Sequence, residues 1–472
     1  MIKKILSVSL CLVCISWSEA QYISEVVEYT PAPGQYINTV PWGNPGAAAS
    51  IVGGVNGSMC LGAFGGYVVF RFEHPVENHP DNPYGVDFTI FGNPMTDWSE
   101  PGAVWVMKDD NENGLPDDTW YELAGSEYYF SSTRKNYRVT YTNPGDTMAR
   151  DVPWIDHMGN SGIVRTNSAH TQTYYPLHDS FPSVPEERYT LAGTLIKGAV
   201  DLDHPPLLKS FRRAFGYADN QLRGQAPFTL PDNPYTPEVE NSGGDAFDID
   251  WAVDSSGVQV ELDRVDFIKV QNAMQNAGGW LGELSTEVTG AVDVAPDPSV
   301  TGRFDLIVIR DLPLLIETES YQLEAFVFRR GKLQLNETLK WTTSHEGAAV
   351  DENLILRVTH SGPLSLTASL VRQPHIQASV FTQVELDQAT FLENKRMDQM
   401  IQIYPNPAGD FFRVTGVGDF FLTLFESGGK MLIGTERYQE GSEVDISTLP
   451  QGFYMVRVDQ GIKAQWFKLL KK

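Results

Sequence analysis

The sequence predicts a mainly β protein. The expected order is a jelly-roll-like β-sandwich at residues 22–296, an immunoglobulin-like sandwich at 303–388 and a small β-sandwich at 401–472. Three observations lead there. Short apolar/polar alternations recur along the chain, among them "YVVFRFEHPV", "VDFTIFGN", "NYRVTYTN", "VQVELDRVDFIKV", "DLIVIRDL", "LILRVTH" and "FYMVRVD". Each is bounded by Gly, Pro, Asn or Asp, which is the period-2 pattern of half-buried strands. Helical periodicity is scarce, and a single short helix is expected over 206–215, "PLLKSFRRAF". Aromatic residues are abundant, with 10 Trp, 19 Tyr and 24 Phe, as a packed β-rich chain requires.

The elements follow in chain order. Lys3 and Lys4 precede an apolar run from Ile5 to Trp17, and Ser18 and Ala20 are small residues at a cleavage position. Residues 1–20 therefore read as a signal peptide, with a mature chain starting at Gln21. Val13 stands before Cys14 where a lipoprotein signal needs a small residue, so lipidation is disfavoured. Cys11 and Cys14 leave with the leader, and Cys60 alone cannot form an intrachain disulfide; a small buried thiol is expected there. The first sandwich ends at the linker "GAVDVAPDPSVTGRF". The 303–388 block carries a central Trp341 and has the size of an immunoglobulin-like or PKD-like domain. A polar stretch, "LDQATFLENKRMDQM", leads to the last unit.

The net charge is −25 and the isoelectric point about 4.7. Such acidity disfavours nucleic acid and anionic membranes as partners and suits a chain that binds divalent cations. The charge is most crowded in "WVMKDDNENGLPDDTWYELAGSE", between two aromatic-rich strands. Asp109, Asn111, Asn113 and Asp117 take positions 1, 3, 5 and 9 of an EF-hand-type calcium loop. Gly114 takes position 6, and Leu115 offers its carbonyl at position 7. Position 12 is Trp120 instead of a bidentate Glu, so Asp118, Glu122 or water must complete the shell. Strands flank the loop, which makes it a calcium loop on a sandwich. A solvated acidic hairpin with Asp and Asn capping its turns is the alternative.

The tail contains Tyr404-Pro405-Asn406-Pro407 with Asp410, then Leu449-Pro450 and Gly452-Phe453-Tyr454 with Val456 and Val458, then a Lys-rich end. This series resembles the type A C-terminal sorting domain of the type IX (Por) secretion system of Bacteroidetes. The resemblance implies Sec export, passage through the outer membrane by the type IX machinery, and removal of the domain with surface attachment or release. A second resemblance rests on "EYTPAPGQYIN", "LGAFGGYVVFRFEHPVEN", "DFTIFGNP", "SEPGAVWV", "HTQTYYP", "GYADN", "FDIDWAVD" and "VDFIKVQNAMQNAGGWLGELSTEVTGAVD". Together these resemble a family of Bacteroidetes cell-surface proteins. It implies a surface role, and uptake of corrinoids or other nutrients for some members.

The residues themselves point to binding. Asp219, Asn220, Asp248, Asp250 and Asp254 lie in Asp-rich loops suited to a second cation site or a polar rim for a glycan. Asp248 and Asp250 alternate with Phe247, Ile249 and Trp251 as on one strand face. Trp98, Trp120, Trp154, Trp251 and Trp280 are candidates for stacking on sugars or a flat ligand, with core packing as the alternative. Asp219, Asn220, Asp250, Trp251 and Trp280 form the expected ligand set. Paired carboxylates such as Glu283 with Glu287, or Asp250 with Glu261, keep a hydrolytic enzyme as the rival reading. A structural or adhesive surface protein is the third. No G-x-S-x-G or HExxH motif occurs. His157, His170 and His178 lack metal-ligand spacing, and Asp156-His157 near Ser161 is a weak match to a triad. The expected molecule is a secreted or surface-attached binding protein that holds calcium and an unidentified small-molecule or glycan ligand.

Overall fold

The computed structural model describes residues 21–472 except 96–97, 146, 198, 202–208, 222–243, 276–281, 301, 387–400, 417, 427–430 and 461–462. The expected leader therefore lies outside the described residues. The chain divides into two compact units, one through Leu386 and one from Asp387.

Fourteen strands concern the first unit's larger part: β1 (Gln21–Tyr22), β2 (Glu25–Thr30), β3 (Tyr67–Arg71), β4 (Phe88–Phe91), β5 (Gly102–Met107), β6 (Trp120–Leu123), β7 (Arg134–Thr142), β8 (Val152–Asp156), β9 (Ser161–Val164), β10 (Arg188–Leu195), β11 (Gly244–Phe247), β12 (Ala252–Val253), β13 (Phe267–Asn272) and β14 (Gly290–Asp293). One sheet has the order β1-β14-β4-β11, and the other β12-β6-β5-β13-β3-β2. The pairs β1–β14, β3–β13, β4–β11 and β5–β6 nest one inside the next along the chain, and all are antiparallel. Nested pairing of this kind, split over two sheets, is the jelly roll. Phe88 and Ile90 of one sheet share a core with Val68, Phe70, Val104, Val106, Ile268 and Val270 of the other. These are the apolar positions of the alternating segments, facing inward.

An extra sheet, β9-β8-β7-β10, is inserted between β6 and β11. It has its own core around Phe64, Tyr137, Tyr141 and Leu191. Residues 209–211, expected to be helical, form a short strand paired with Ala199–Asp201. Ser210 also donates its hydroxyl to the Ser99 carbonyl, so tertiary pairing overrides local pattern there.

Residues 303–386 are also β throughout. Strands 305–309, 325–329 and 332–334 form one sheet, and 339–343, 362–370 and 377–384 belong to another. Trp341 is half-buried between two apolar clusters of this part. Its start is fused to the jelly roll. Phe304, Val308 and Phe328 belong to the jelly-roll core cluster. Phe215 meets Phe328 and Trp251 at ring-centroid distances of 5.1 Å each.

In the second unit, strands 402–404, 411–415 and 443–445 form one sheet and 420–426, 431–438, 452–460 and 463–471 another. Phe412, Val414, Leu422, Leu424, Val444, Val456 and Leu469 fill the core between them. Lys471 is buried, and its ammonium donates to the carbonyls of Ile446, Ser447 and Leu449 at 2.5, 3.0 and 2.7 Å. The basic end thus satisfies the turn that precedes "LPQGFY".

Because Phe328 closes the jelly-roll core from outside the jelly roll, Phe328→Ala should destabilise both parts together, by about 3–5 kcal/mol. Urea unfolding of the mature chain followed by tryptophan fluorescence measures this. A cost below about 1 kcal/mol would show that the two parts do not share a core.

Candidate functional site: a buried acidic chamber and an acidic loop

Three segments singled out in the sequence converge where β5 begins. Ala218 and Gly102 exchange backbone hydrogen bonds of 2.9 Å, and Glu100 N–H donates to the Asp219 carbonyl at 3.0 Å. The Thr286 hydroxyl donates to the Glu100 carbonyl at 2.8 Å. These bonds lash "SEPG", "GYADN" and "GELSTEV" together. They place the carboxylates of Glu100, Asp219 and Glu287 so that one oxygen of each lies within 4.8 Å of the others. Asp219 adopts φ 56° and is fully buried. Its Oδ1 accepts from Asn93 N–H and its Oδ2 from Glu287 N–H, both at 2.8 Å. A Cβ on Gly92 would stand 2.2 Å from Asp219 Oδ1, so only glycine permits this approach.

Glu283 flanks the three. Its Oε1 accepts from Gln35 N–H at 2.7 Å, and its Oε2 is buried without a hydrogen-bond partner. The Cys60 thiol lies 3.0 Å from the Ser285 hydroxyl, and Ser285 N–H donates to Glu100 Oε1 at 2.9 Å. Burial first, and then the charge of Glu283, pushes the Cys60 thiol up to about 12, so it stays neutral and buried as expected. Burial also raises Glu100 to about 7 and Glu283 to about 8, and holds Asp219 and Glu287 well above the usual carboxylate range. The half-buried Tyr36 phenol is raised first by burial and then by the charges of Glu287, Cys60, Glu283 and Glu100, so it faces all four. Its ring meets His170 at 4.8 Å and Trp42 at 6.0 Å. Three partly exposed rings, Tyr36, Trp42 and His170, thus neighbour the acidic cluster.

The 109–118 loop is a separate feature. Asp109 accepts from Asn113 N–H at 3.1 Å and from Gly114 N–H at 2.7 Å. Asn111 and Asn113 point their amides at Asp117 at 3.3 and 3.2 Å, and Asp118 accepts from Asp110 N–H at 3.0 Å. Gly114 takes φ 74°, the sharp bend that position 6 needs. Positions 1, 3, 5 and 9 thus converge. Leu115 keeps its side chain in solvent. Trp120, at position 12, begins β6 and lies under the Lys269 ammonium at 4.7 Å. Asp266, which spacing alone did not suggest, accepts from Asp109 N–H at 2.8 Å. Beside the loop opens a groove of about 610 Å³ lined by Glu25, Arg71, His74, Asp109, Gly114 and Asp266, among others.

The remaining expected site residues go elsewhere. Asn220 spends its amide on the Arg213 backbone, accepting from N–H at 2.6 Å and donating to the carbonyl at 3.0 Å. Residues 249–251 form a short 3-10 turn capped by Asp248, so Asp248 and Asp250 do not share a strand face. The reason is local: Asp248 accepts from Asp250 N–H at 2.8 Å. Asp250 binds Lys332 at 2.6 Å. Trp251 is 2% exposed, and its indole N–H donates to the Arg330 carbonyl at 2.9 Å, which is the core position. Asp254 caps the 255–258 turn. Trp154 packs on the inserted sheet's core, and Trp280 lies outside the described residues. Asp156 accepts from Tyr137, Met158 and Asn160, leaving it no acceptor role toward a His157–Ser161 pair.

Comparison with known proteins adds one decisive match. Residues 402–472 fit the family model described as the secretion system C-terminal sorting domain. This stretch is a type IX sorting domain. It implies secretion or export to the cell surface by the type IX machinery. No curated protein matches the chain. Among solved structures, titin immunoglobulin domains A164–A165 are 14% identical, covering 36% of this chain and 96% of that one, with a TM-score of 0.14. Domains 3–5 of Drosophila OTK are 8% identical over 46% and 82%, with a TM-score of 0.17. The Escherichia coli adhesin FdeC is 11% identical over 44% and 78%, with a TM-score of 0.15. At such scores these likenesses carry no argument. The acidic features all belong to the unit that precedes the sorting domain.

A third buried acidic group joins the jelly roll to residues 303–386. Asp87 accepts from Asn82 and from Ile249 N–H, both at 2.7 Å. Asp248 lies near it. Burial first, then the Asp250 charge, raises Asp248 to about 8, against the pull of Arg330 and Lys332. Its unfolded value is near 3.8, so folding takes up a proton between the two values. That contribution is whole below pH 3.8 and is lost as pH rises through about 8. Asp248→Asn keeps the cap without the charge. Its melting temperature should gain on the parent's between about pH 5 and about pH 8.5. Parallel curves would disprove the assignment.

Proposed function

We propose that this chain is a surface-displayed binding protein of the type IX pathway, with a calcium ion in the 109–117 loop and a small-molecule or glycan ligand in the groove beside it. The carrying observation is the groove of about 610 Å³ that opens directly onto Asp109, Gly114 and Asp266. A cation held by Asp109, Asn111, Asn113, Asp117 and the Leu115 carbonyl would fix one wall of that groove. Oxygen donors alone suit a hard cation. Arg71, Glu25 and His74 also line it, a polar set able to hydrogen-bond hydroxyl-rich ligands such as glycans. Capture of a nutrient such as a corrinoid at the outer-membrane surface belongs to the same reading. A hydrolytic role would draw on Glu283 and Glu287, but their burial inside the chamber suits holding a small ion better than admitting a polymer.

Calcium at 100 times its dissociation constant would add about 2.7 kcal/mol to stability. The mature chain should therefore melt several degrees higher in calcium than in EDTA. The combined Asp109→Asn and Asp117→Asn substitutions should remove a large part of that difference. Equal calcium responses of variant and parent in calorimetry would refute the loop site. Deletion of 402–472 should strand the protein in the periplasm, as immunoblots of cell fractions would show; surface display without those residues would refute the export route.

A further inference from the structure

We propose that the chamber formed by Glu100, Asp219 and Glu287, with Glu283 beside it, is a binding site for one hard divalent cation. The argument does not depend on the loop site.

First, geometry. One carboxylate oxygen from each of three residues lies within 4.8 Å of the others. A cation placed among them would reach all three at the roughly 2.0–2.6 Å distances that oxygen ligands take. The donors are all oxygens, and the nearby Cys60 sulfur is engaged with Ser285.

Second, an unpaired acceptor. Glu283 is 8% exposed, and its Oε2 has no hydrogen-bond partner. The carboxylate is pinned by Gln35 N–H through its other oxygen. The Glu100 charge acts on it, and its own charge acts on Cys60 and Tyr36. A buried carboxylate oxygen with nothing to accept from costs roughly 1–3 kcal/mol or more. A cation bound to the three neighbours would give it a counter-charge.

Third, a contrast within the molecule. Three other buried acids face a basic side chain: Glu122 has Lys135 and Lys269, Glu127 has Arg213, and Asp248 has Arg330 and Lys332. None of the interactions that shape Glu100, Asp219, Glu283 or Glu287 comes from Lys, Arg or His. Here several carboxylates meet with no basic side chain among those interactions.

The test counts ions. The mature chain is stripped with EDTA, dialysed to equilibrium against calcium, and assayed for bound metal by mass spectrometry. Two ions per chain are expected for the parent. One is expected for the pair Glu100→Gln and Glu287→Gln, and one for the pair Asp109→Asn and Asp117→Asn. If the chamber pair binds as many ions as the parent, the chamber proposal is overturned. If the loop pair does, the loop reading fails and the chamber stands. Because a chamber variant can misfold, terbium-soaked crystals of the unmodified chain provide a second measurement. An anomalous peak about 2.4 Å from oxygens of Glu100, Asp219 and Glu287 is expected. A peak at the loop with none in the chamber would overturn the proposal.

Discussion

Acid buried against acid is the constraint around which the first unit is organised. Glu100, Asp219 and Glu287 come from different segments of the chain; Asp219 and Glu287 are buried and Glu100 is half-buried. A carboxylate removed from water loses several kcal/mol of solvation, and a like charge beside it adds to the loss. The fold tolerates this only because backbone N–H groups of Asn93, Ser285, Glu287 and Gln35 are aimed at the oxygens. Asn93, Ser285 and Gln35 lie in irregular segments, outside the sheet ladders that would otherwise consume their N–H groups. Gly92 and Gly34 have no side chain where Asp219 and Glu283 press in. The glycine-rich and aspartate-rich strings are thus parts of one construction.

The same reasoning explains what could be read from the sequence. Strand identity was legible because core residues recur at every second position, as Val68 and Phe70, Phe88 and Ile90, Val104 and Val106, and Ile268 and Val270 do. The 109–117 loop was legible because its donors lie within nine residues and its geometry is set by one glycine. The chamber was not, since Glu100 lies more than a hundred residues before Asp219 and Glu287 and nothing local distinguishes it from a solvated glutamate. "SEPG", "GYADN" and "GWLGELSTEV" were visible as unusual strings, and Asp219, Glu283 and Glu287 were each noticed, but their meeting depends on jelly-roll topology. Asp248 and Asp250 misled for a related reason: alternation with apolar residues describes a strand, yet Asp248 folds back to accept from Asp250 N–H and makes a turn instead. Trp251 was drawn into the core by Phe215, Phe247 and Phe304.

The boundary near residue 300 also has a physical meaning that composition hides. "VAPDPSVTG" reads as a linker, yet the next strand delivers Phe304 and Val308 into the jelly-roll core. Arg330 accepts the Trp251 indole N–H at its carbonyl, and Lys332 binds Asp250. Burial of aromatic surface and neutralisation of charge both hold the immunoglobulin-like part against the jelly roll. A spacer held at one end in this way transmits orientation as well as distance.

The two acidic places differ in how they respond when no cation is present. The loop lies at the surface, and its Asn111 and Asn113 amides turn toward Asp117 while water reaches Asp110 and Asp118. It therefore loses little by standing empty. The chamber has no such recourse. Its carboxyls can remain neutral only by keeping protons, which their raised pKa values express. A cation entering it would displace those protons and meet closely placed donors in a medium where charges attract strongly. Cation affinity at the loop would depend on how well the turn is ordered, and in the chamber on how much repulsion the fold has already accepted.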